Sequence, residues 1–470
     1  MSTSTFFGIS VAVSGLNAQR GAMDVLAYNV AHANDPTYKR QRPIFVEGHV
    51  LAQPQEANPL GISPFGAGVQ SGGIQRVKED LIEARLRLAT QEAANWQYQS
   101  NTMKQIEAML SEPSNKGLQE DLDHFWASWS KIAVTPEDLP MRSGLLEDAS
   151  AICQRMNYMY KQFLDIQEDL NLATEDRVSK INLITEEIGR LNNQIGALRS
   201  GMIPINDLLN RRDALVLELS KLIQITTHGE GADDFIISIG GRVLVQGLQV
   251  YSIKADIEAG KRIVRWTDDN ANVQMTGGEL RGITELRDSI IPDYLAKLDQ
   301  LAIELRDNVN NIHRSDVGNP TFDRLGNPGL DFFEPGTTAA NIAVNSLLIG
   351  HPELIAASAD GSVGDGSVAL RIANLKDTPV VGVSTINQLY RDLVGNIGGR
   401  AMIVEREAIA LGLSVEQYKT QQQAISGVSL DEELTNMIKF QQAYNACART
   451  LTAMDEMLSI LIQQTGMVGR

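Results

Sequence analysis

Residues 429–462 read SLDEELTNMIKFQQAYNACARTLTAMDEMLSILI. Mainly apolar residues recur in this stretch in alternating steps of four and three, the heptad spacing that keeps one stripe of a helix facing a partner helix. Asp431, Glu432 and Glu433 stand at its start, where negative charge complements the helix dipole. The stretch therefore predicts a long amphipathic helix. Its stripe includes Leu430, Leu434, Met437, Gln441, Tyr444, Leu451, Leu458 and Ile462, with Ala448 and Asp455 at the intervening steps.

The opposite end of the chain carries a matching pattern between residues 9 and 33. Two matched heptad segments predict that the two ends of the chain pair with each other, so that the middle becomes an insertion between them. Gln19 and Gln441 are polar members of the two stripes, and each either fixes the register of the pairing or is a tolerated residue that faces solvent. The N-terminal stripe consists of Ile9, Ala12, Leu16, Gln19, Met23, Leu26, Val30 and Ala33.

Heptad spacing by itself leaves two interpretations of these terminal helices. They are either helices of an intramolecular bundle or an assembly surface between copies of the chain. Long helices without tertiary contacts are only marginally stable in water. We therefore expect the terminal pair to be poorly ordered in the isolated chain and to become ordered against neighbouring subunits.

Composition limits the classes of function. The chain has 470 residues, enough for two to four structural units, and a formal net charge of -17. Nucleic acids are recognised by clusters of lysine and arginine, so this acidity argues against a nucleic-acid partner. The two cysteines cannot form a disulfide framework. No apolar run has the length of a membrane span and no Sec-type signal is recognisable, so we expect neither membrane insertion nor a cleaved signal peptide.

The interior of the chain shows long helical patterns interrupted by a β-rich region. The longest predicted helix covers about residues 137–199, and short β runs separated by turn residues follow between 225 and 266. One helix is predicted from about 283 to 312, and 341–345 is predicted as a single short strand. The predicted fold class is mainly α with a smaller β-rich insertion. In it the terminal coiled-coil helices pair, a long-helix bundle comes next and a β module projects outward.

Three domains follow from this organisation. Whether 226–282 and 315–380 form one module stays open. The predicted domains are a terminal coiled-coil assembly domain (1–40 plus 427–470), a long-helix bundle domain (41–225 plus 283–314 plus 381–426) and an outer β-rich module (226–282 with parts of 315–380).

The residues at the end of the first helix resemble a known signature. The pattern Asn29-Val30-Ala31-x-Ala33-Asn34-x-Pro36-x-Tyr38 is similar to the N-terminal signature of the flagellar rod, hook and hook-associated proteins. Asn34, Pro36 and Tyr38 carry the signature turn, although Thr37 stands where the family usually has glycine, which readily adopts a positive φ. The triplet Lys39-Arg40-Gln41 resembles the triplet found at this place in those family members that form the junction of hook and filament. Further similar stretches lie within 277–288, 309–333 and 426–444.

The resemblance implies a structural role. Members of this family leave the cell through the flagellar type III export channel without a cleaved signal, and their terminal helices form an inner tube from which the middle of the chain projects. The resemblance implies an extracellular subunit at the hook–filament junction. Its implied partners are copies of itself, the hook protein, a second hook-associated junction protein, a flagellar export chaperone and the type III export apparatus. It implies no cofactor and no enzymatic activity.

The sequence itself carries no recognisable catalytic or metal-binding pattern. Its six histidines are scattered without the spacing of a zinc site. His313 is interpreted as a capping or turn residue at a helix end, and Asp323, Asn327 and Asp331 as an Asx turn in preference to a calcium loop. Two alternatives stay open. One is another flagellar axial protein, such as a hook or distal-rod protein, and the other is a secreted enzyme with a coiled-coil stalk and a pocket within residues 223–380.

Overall fold

The computed structural model describes residues 5–48, 68–110, 117–199 and 205–464. Helices dominate these ranges and small antiparallel sheets make up most of the other regular structure, so the predicted fold class is confirmed. The helices are α1 (Thr5–Ala31), α2 (Asp80–Leu110), α3 (Leu118–Val134), α4 (Leu139–Arg199), α5 (Asn206–Leu222), α6 (Glu279–Glu285), α7 (Ile291–His313), α8 (Ser367–Ala373), α9 (Ile386–Ser426) and α10 (Leu430–Gln464). The strands are β1 (Gln41–Glu47), β2 (Val69–Arg76), β3 (Thr226–His228), β4 (Ile236–Ile239), β5 (Arg242–Gln246), β6 (Gln249–Val250), β7 (Ile253–Glu258) and β8 (Lys261–Trp266).

α4 is the longest helix in the described ranges. Its 61 residues make a rod of about 90 Å, since an α-helix rises 1.5 Å per residue. The sequence predicts its start near residue 137, and the structure begins it at Leu139, where the Asp138 carboxylate accepts a hydrogen bond from the Met141 N–H. α3 and α5 pack against α4, and so do β7 and β8. The rod therefore connects the helical and β-rich parts of the middle of the chain.

Three small sheets lie beside the helices. β1 and β2 form an antiparallel hairpin that packs on α1, β3 to β6 form a four-stranded antiparallel meander, and β7 pairs with β8. Gly240 and Gly241 join β4 to β5 with φ angles of 55° and 84°. Tight two-residue hairpin turns need this left-handed backbone, which glycine adopts without strain.

One hydrophobic core runs through the middle of the chain. In its aromatic centre, the ring of Phe125 contacts the rings of Trp126, Trp129, Phe332 and Phe333, with centroids 5.0–6.2 Å apart. α2, α4, α7 and α9 contribute aliphatic side chains to the same core. Among the described residues, none from α1, β1, β2 or α10 belongs to it. The terminal elements are therefore held by other contacts.

One local prediction is confirmed with an irregularity and another is wrong. The helix expected over 283–312 is present from Glu279 to His313, but it contains a π-helical turn at Leu286–Ile290, where the Arg287 guanidinium lies buried and donates to the Arg262 carbonyl oxygen. The strand expected over 341–345 is reduced to one bridge between Phe333 and Val344. Two backbone hydrogen bonds make this bridge, from the Glu334 N–H to the Ala343 carbonyl oxygen and from the Asn345 N–H to the Phe332 carbonyl oxygen.

The predicted domain boundaries stay a prediction. The β1–β2 hairpin, which the prediction assigned to the long-helix bundle, packs against α1. The chain between α7 and α9 is largely irregular and contains α8, which packs on α3 and α7.

Candidate assembly interface at the paired chain ends

The two terminal helices form an antiparallel pair. The small face of Gly8 lies against Met454, Gly15 lies against Cys447, and the Asn29 side chain bonds Glu433. Each step of seven or fourteen residues along α1 is matched by an equal step in the opposite direction along α10. This constant register is the geometry that the two predicted heptad patterns require.

Small residues form the centre of the contact on α1. Ala12, Gly15, Ala18 and Ala22 are all buried, whereas most of the large residues of the predicted stripe are half-buried at its edge. Small side chains let two helix backbones come close together, so the contact centre falls on them and the larger neighbours flank it. Within the predicted N-terminal stripe, Ala12 and Leu26 are buried; the half-buried members include Ile9, Leu16, Gln19, Met23 and Val30.

Burial differs along the predicted stripe of α10. Met437, Tyr444, Leu451 and Leu458 are half-buried and follow the positions that contact α1 by one helical turn. The remaining predicted members are exposed. They are Leu430, Leu434, Gln441 and Ile462.

The first turns of α10 also carry large apolar side chains that α1 leaves exposed. Leu430, Leu434 and Ile438, spaced one turn apart, are 50%, 50% and 57% exposed, and we call these three residues the outward stripe. Ile462 near the other end of the helix is 75% exposed. Of the two predicted polar members, Gln441 faces solvent, and the Gln19 Oε1 atom is buried without a hydrogen-bond partner in the described part of the chain.

A buried polar centre holds the helix pair together where α1 ends and α10 begins. The Asn29 Nδ2 group donates to Glu433 Oε2 at 2.9 Å and to the Gln41 carbonyl oxygen at 2.8 Å. Its Oδ1 atom accepts from the Tyr38 hydroxyl at 2.7 Å and from the Gln41 N–H at 2.9 Å. Asn29 therefore links α1, the signature turn, β1 and α10. Burial is the main reason that the pKa of Tyr38 is raised.

The signature turn itself is held locally. Asn34 and Pro36 are exposed, and Tyr38 is buried. The Asp35 carboxylate accepts hydrogen bonds from the N–H and the hydroxyl of Thr37, and these bonds lower the pKa of Asp35. Only Ala259 and Asn270 among the described non-glycine residues have a positive φ, so Thr37 makes this turn without the left-handed backbone of the family glycine.

The triplet after the turn joins the chain ends to other elements. The Arg40 guanidinium forms an ion pair with Glu432 at 2.6 Å, and the Arg40 N–H donates to the Ser426 carbonyl oxygen at the end of α9. Lys39 contacts Glu83 on α2. In the sequence these residues indicate only the resemblance to the family. Their contacts were not predictable because the partners lie far away in the chain.

Two clefts bear on the hypothesis of a secreted enzyme. One lies between the signature turn, α5 and the junction of α9 with α10, and the other lies between α2 and α9. The enzyme hypothesis expects a pocket within residues 223–380, but Glu279 is the only residue of that range that lines either cleft. The described residues contain no cluster of three or more His, Cys, Asp or Glu that could hold a metal ion. No helix in the described ranges is long and apolar enough to span a bilayer.

The sequence of the chain is similar to those of known proteins. The family model described as flagellar hook-associated protein FlgK helical domain matches residues 103–333, and the one described as flagellar basal body rod FlgEFG protein C-terminal matches residues 421–464. Flagellar hook-associated protein 1 of Bacillus subtilis is 27% identical over 100% of both chains, and that of Escherichia coli is 25% identical over 97% of this chain and 99% of that protein. The chain belongs to the flagellar hook-associated protein 1 family.

Membership of this family makes the chain a structural protein of the flagellum. A solved structure of the hook junction protein FlgK from Burkholderia pseudomallei superposes with a TM-score of 0.64 at 14% identity, over 73% of this chain and 100% of that one, which shows a shared fold. The C-terminal rod-protein match falls on the end of α9 and on α10. The part of the chain shared with rod proteins is therefore the part that carries the outward stripe.

Proposed function

We propose that this chain forms the hook–filament junction by helical self-assembly through its paired terminal helices. The outward stripe of α10 is the observation that carries the proposal. α1 packs along α10, yet large apolar residues in the first turns of α10 stay at least half-exposed. Such a face is stabilised by burial against a partner at about 25 cal/mol per Å² of apolar surface.

The partners follow from the geometry of such an assembly. A helical array of identical subunits uses heterologous contacts, in which one surface of a copy meets a different surface of the next, so the array does not close on itself. Other copies are thus the lateral partners, the hook protein the partner on one side and a second hook-associated protein the partner on the other. An export chaperone and the type III export apparatus deliver the chain without cleavage of a signal peptide. The role requires no catalytic step and no cofactor.

The predicted residues take two roles in this proposal. The stripe members that face α1, such as Met437 and Leu451, hold the helix pair together, and the outward stripe contacts neighbouring copies. The signature turn at Asn34, Pro36 and Tyr38 connects the pair to the rest of the chain. The proposed assembly domain comprises residues 1–40 and 427–470.

Deletion of residues 430–470 tests the proposal. The truncated chain keeps the whole hydrophobic core of the middle region, so it should fold and remain monomeric, but it should not add to isolated hooks. Because α10 is helical and packed on α1 in the single chain, circular dichroism of the truncated chain should show the helices of the middle region kept and only the helix of α10 lost. Addition of the truncated chain to hooks would contradict the proposal.

Immunolabelling of detached flagella separates this function from that of another axial protein. Label at a narrow band where hook meets filament supports the junction role. Label along the hook or within the rod would instead support a hook or rod protein.

A further inference from the structure

The boundary between the chain ends and the middle region is polar. We define the terminal unit as α1, the β1–β2 hairpin and α10, and the helical domain as α2 to α9 with β3 to β8. The chain passes between them only at residues 77–79 and 427–429. No buried hydrophobic cluster of the described residues includes a member of the terminal unit. Hydrogen bonds and ion pairs therefore hold the two parts together.

One face of α5 supplies many of these contacts. Its first two turns carry four polar side chains, and each of these side chains contacts the terminal unit or the turn between α1 and β1. We call these residues the α5 ladder: Asn206, Asp207, Asn210 and Asp213.

The first two residues of the ladder, Asn206 and Asp207, contact α1 and β1. The Tyr28 hydroxyl on α1 donates to Asp207 at 2.5 Å, and this hydrogen bond raises the pKa of Tyr28 to about 12. The Asn206 Nδ2 group donates to Gln41 Oε1 at 3.2 Å. These bonds fix the direction in which α1 leaves the helical domain.

Asp213 is the ionic centre of the ladder. Its carboxylate contacts Lys39 at 3.2 Å and Arg76 at 2.8 Å, one cation from each side of the β1–β2 hairpin. Both cationic side chains are 7% exposed. Burial by itself would raise the pKa of Asp213, but the two cations outweigh it and hold that pKa below its usual range. The carboxylate is thus charged at neutral pH and joins two segments of the terminal unit to one helix.

A cleft of about 910 Å³ opens beside these contacts. Asn210 and Asp213 line it together with the signature turn and the junction of α9 with α10. Water therefore reaches one side of the boundary. Boundaries between domains that bury little apolar surface permit relative movement, because few contacts must break for the parts to separate.

We propose that the α5 ladder is a releasable seat that sets the angle of the terminal unit against the helical domain. With the ladder intact, the terminal unit rests at one angle. When the contacts of Asp213 are broken, the unit pivots about residues 77–79 and 427–429 while both parts keep their own folds. Neutralisation of the Asp213 carboxylate allows the terminal unit to pivot because no shared hydrophobic core resists the movement.

Distance measurements on the soluble full-length chain test the seat. Spin labels are attached at Arg85→Cys on α2 and Asn445→Cys on α10, two exposed positions on either side of the boundary. Cys447 is first replaced by alanine. Cys153 stays in place because its thiol is buried and its pKa is raised to about 12 by that burial, which keeps it unreactive. Pulsed electron resonance then gives the distribution of distances between the labels.

The wild-type background should give a single narrow distance peak, and Asp213→Asn should lose it in favour of a broad distribution. Glu218→Gln is the matched control, because Glu218 also lies on α5 and pairs with Lys180 at 2.8 Å, a residue of the same helical domain. It should keep the wild-type peak. A peak that also broadens in Glu218→Gln would overturn the assignment of the seat to the ladder.

Two further measurements decide the matter if Asp213→Asn does not fold. Tyr28→Phe removes the hydrogen bond to Asp207 without changing the number of charges, and Asn210→Ala removes the hydrogen bond to Arg76. Each should broaden the peak. An unchanged narrow peak in both would refute the proposal. The result is independent of hook addition, so failure of the seat leaves the junction function untouched.

Discussion

Asn29 and Glu433 are 404 positions apart in the chain and are joined by a hydrogen bond of 2.9 Å between Nδ2 and Oε2. Both side chains are almost completely buried, at 0% and 2% exposure. The bond closes the two ends of the chain into one unit at the point where they meet the middle region. It also leaves the rest of α1 and α10 to be held by the packing of small residues.

Asn29→Ala should destabilise the terminal unit. The substitution removes four hydrogen bonds and leaves the Glu433 carboxylate and the Tyr38 hydroxyl without this partner. A buried polar group left unsatisfied costs about 1–3 kcal/mol, so we expect a loss of at least about 2 kcal/mol. Urea unfolding followed by circular dichroism should show it. Asn17→Ala on the exposed side of the same helix is the control, and an equal loss there would contradict the role of Asn29.

Gly15→Cys should form a disulfide with the natural Cys447. A Cβ atom built at Gly15 lies 3.9 Å from the Cβ atom of Cys447, and disulfides join Cβ atoms about 3.5–4.5 Å apart. Mild oxidation should therefore remove two reactive thiols without forming a dimer, as measured by thiol titration and non-reducing electrophoresis. Gly21→Cys is the control, since nothing lies within 4 Å of its Cβ position. Absence of the bond in Gly15→Cys would mean that the register of the helix pair is different.

Leu434→Arg should block assembly without unfolding the chain. Leu434 is 50% exposed, and substitutions at such surface positions usually change stability by only about 0.5 kcal/mol. In the assembly, however, the new charge would be buried against a neighbouring copy. Electron microscopy of hooks incubated with the variant should show no added subunits. Leu183→Arg on α4, where the leucine is 65% exposed, should add as the wild type does.

His313 should make the helical domain sensitive to acid. Its Nε2 atom accepts from the Ala356 N–H at 2.8 Å, so the proton of the neutral ring is on Nδ1, which donates to the Leu330 carbonyl oxygen at 2.6 Å. Complete burial lowers the pKa of His313 from 6.5 to about 4. The unfolded chain therefore binds the proton more readily, so this contribution to stability is present above pH 6.5 and is lost as the pH falls towards 4.

The expected loss is about 2 kcal/mol between about pH 7 and pH 5. Urea unfolding at the two pH values measures it. His313→Gln should be less stable at neutral pH but should show a smaller pH-dependent loss than the wild type. His124→Gln, at an exposed position, should keep the wild-type pH dependence. Equal pH dependence in all three proteins would contradict a neutral buried His313.

The elements of the fold could be predicted from the sequence more completely than their contact faces. The heptad spacing predicted that α1 and α10 pair, and the structure shows that they do. On α1 the predicted stripe members Ala12 and Leu26 are buried, but the contact also includes Gly15 and Ala18, which were not predicted and which allow a closer approach than the large residues beside them. The π-helical turn at Leu286–Ile290 was missed, since a helical hydrophobic pattern does not reveal one additional residue in a turn.

The ladder on α5 was also missed, for a different reason. Asn206, Asp207, Asn210 and Asp213 look like the solvated side of an ordinary amphipathic helix. Their partners come from residues 28–76, and nothing in the local pattern pairs the two regions. Contacts of this kind between distant polar residues have no periodic signal.

The sequence by itself determined that this protein is mainly helical, that its ends pair and that it resembles the flagellar axial proteins, because periodicity and local motifs record properties of single elements. The tertiary structure alone decided which side of α10 is covered and which side remains exposed. It also decided that Asn29 meets Glu433 and that polar contacts, instead of a shared core, join the terminal unit to the helical domain. These features depend on the distances between segments remote in sequence, which only the packing of the whole chain establishes.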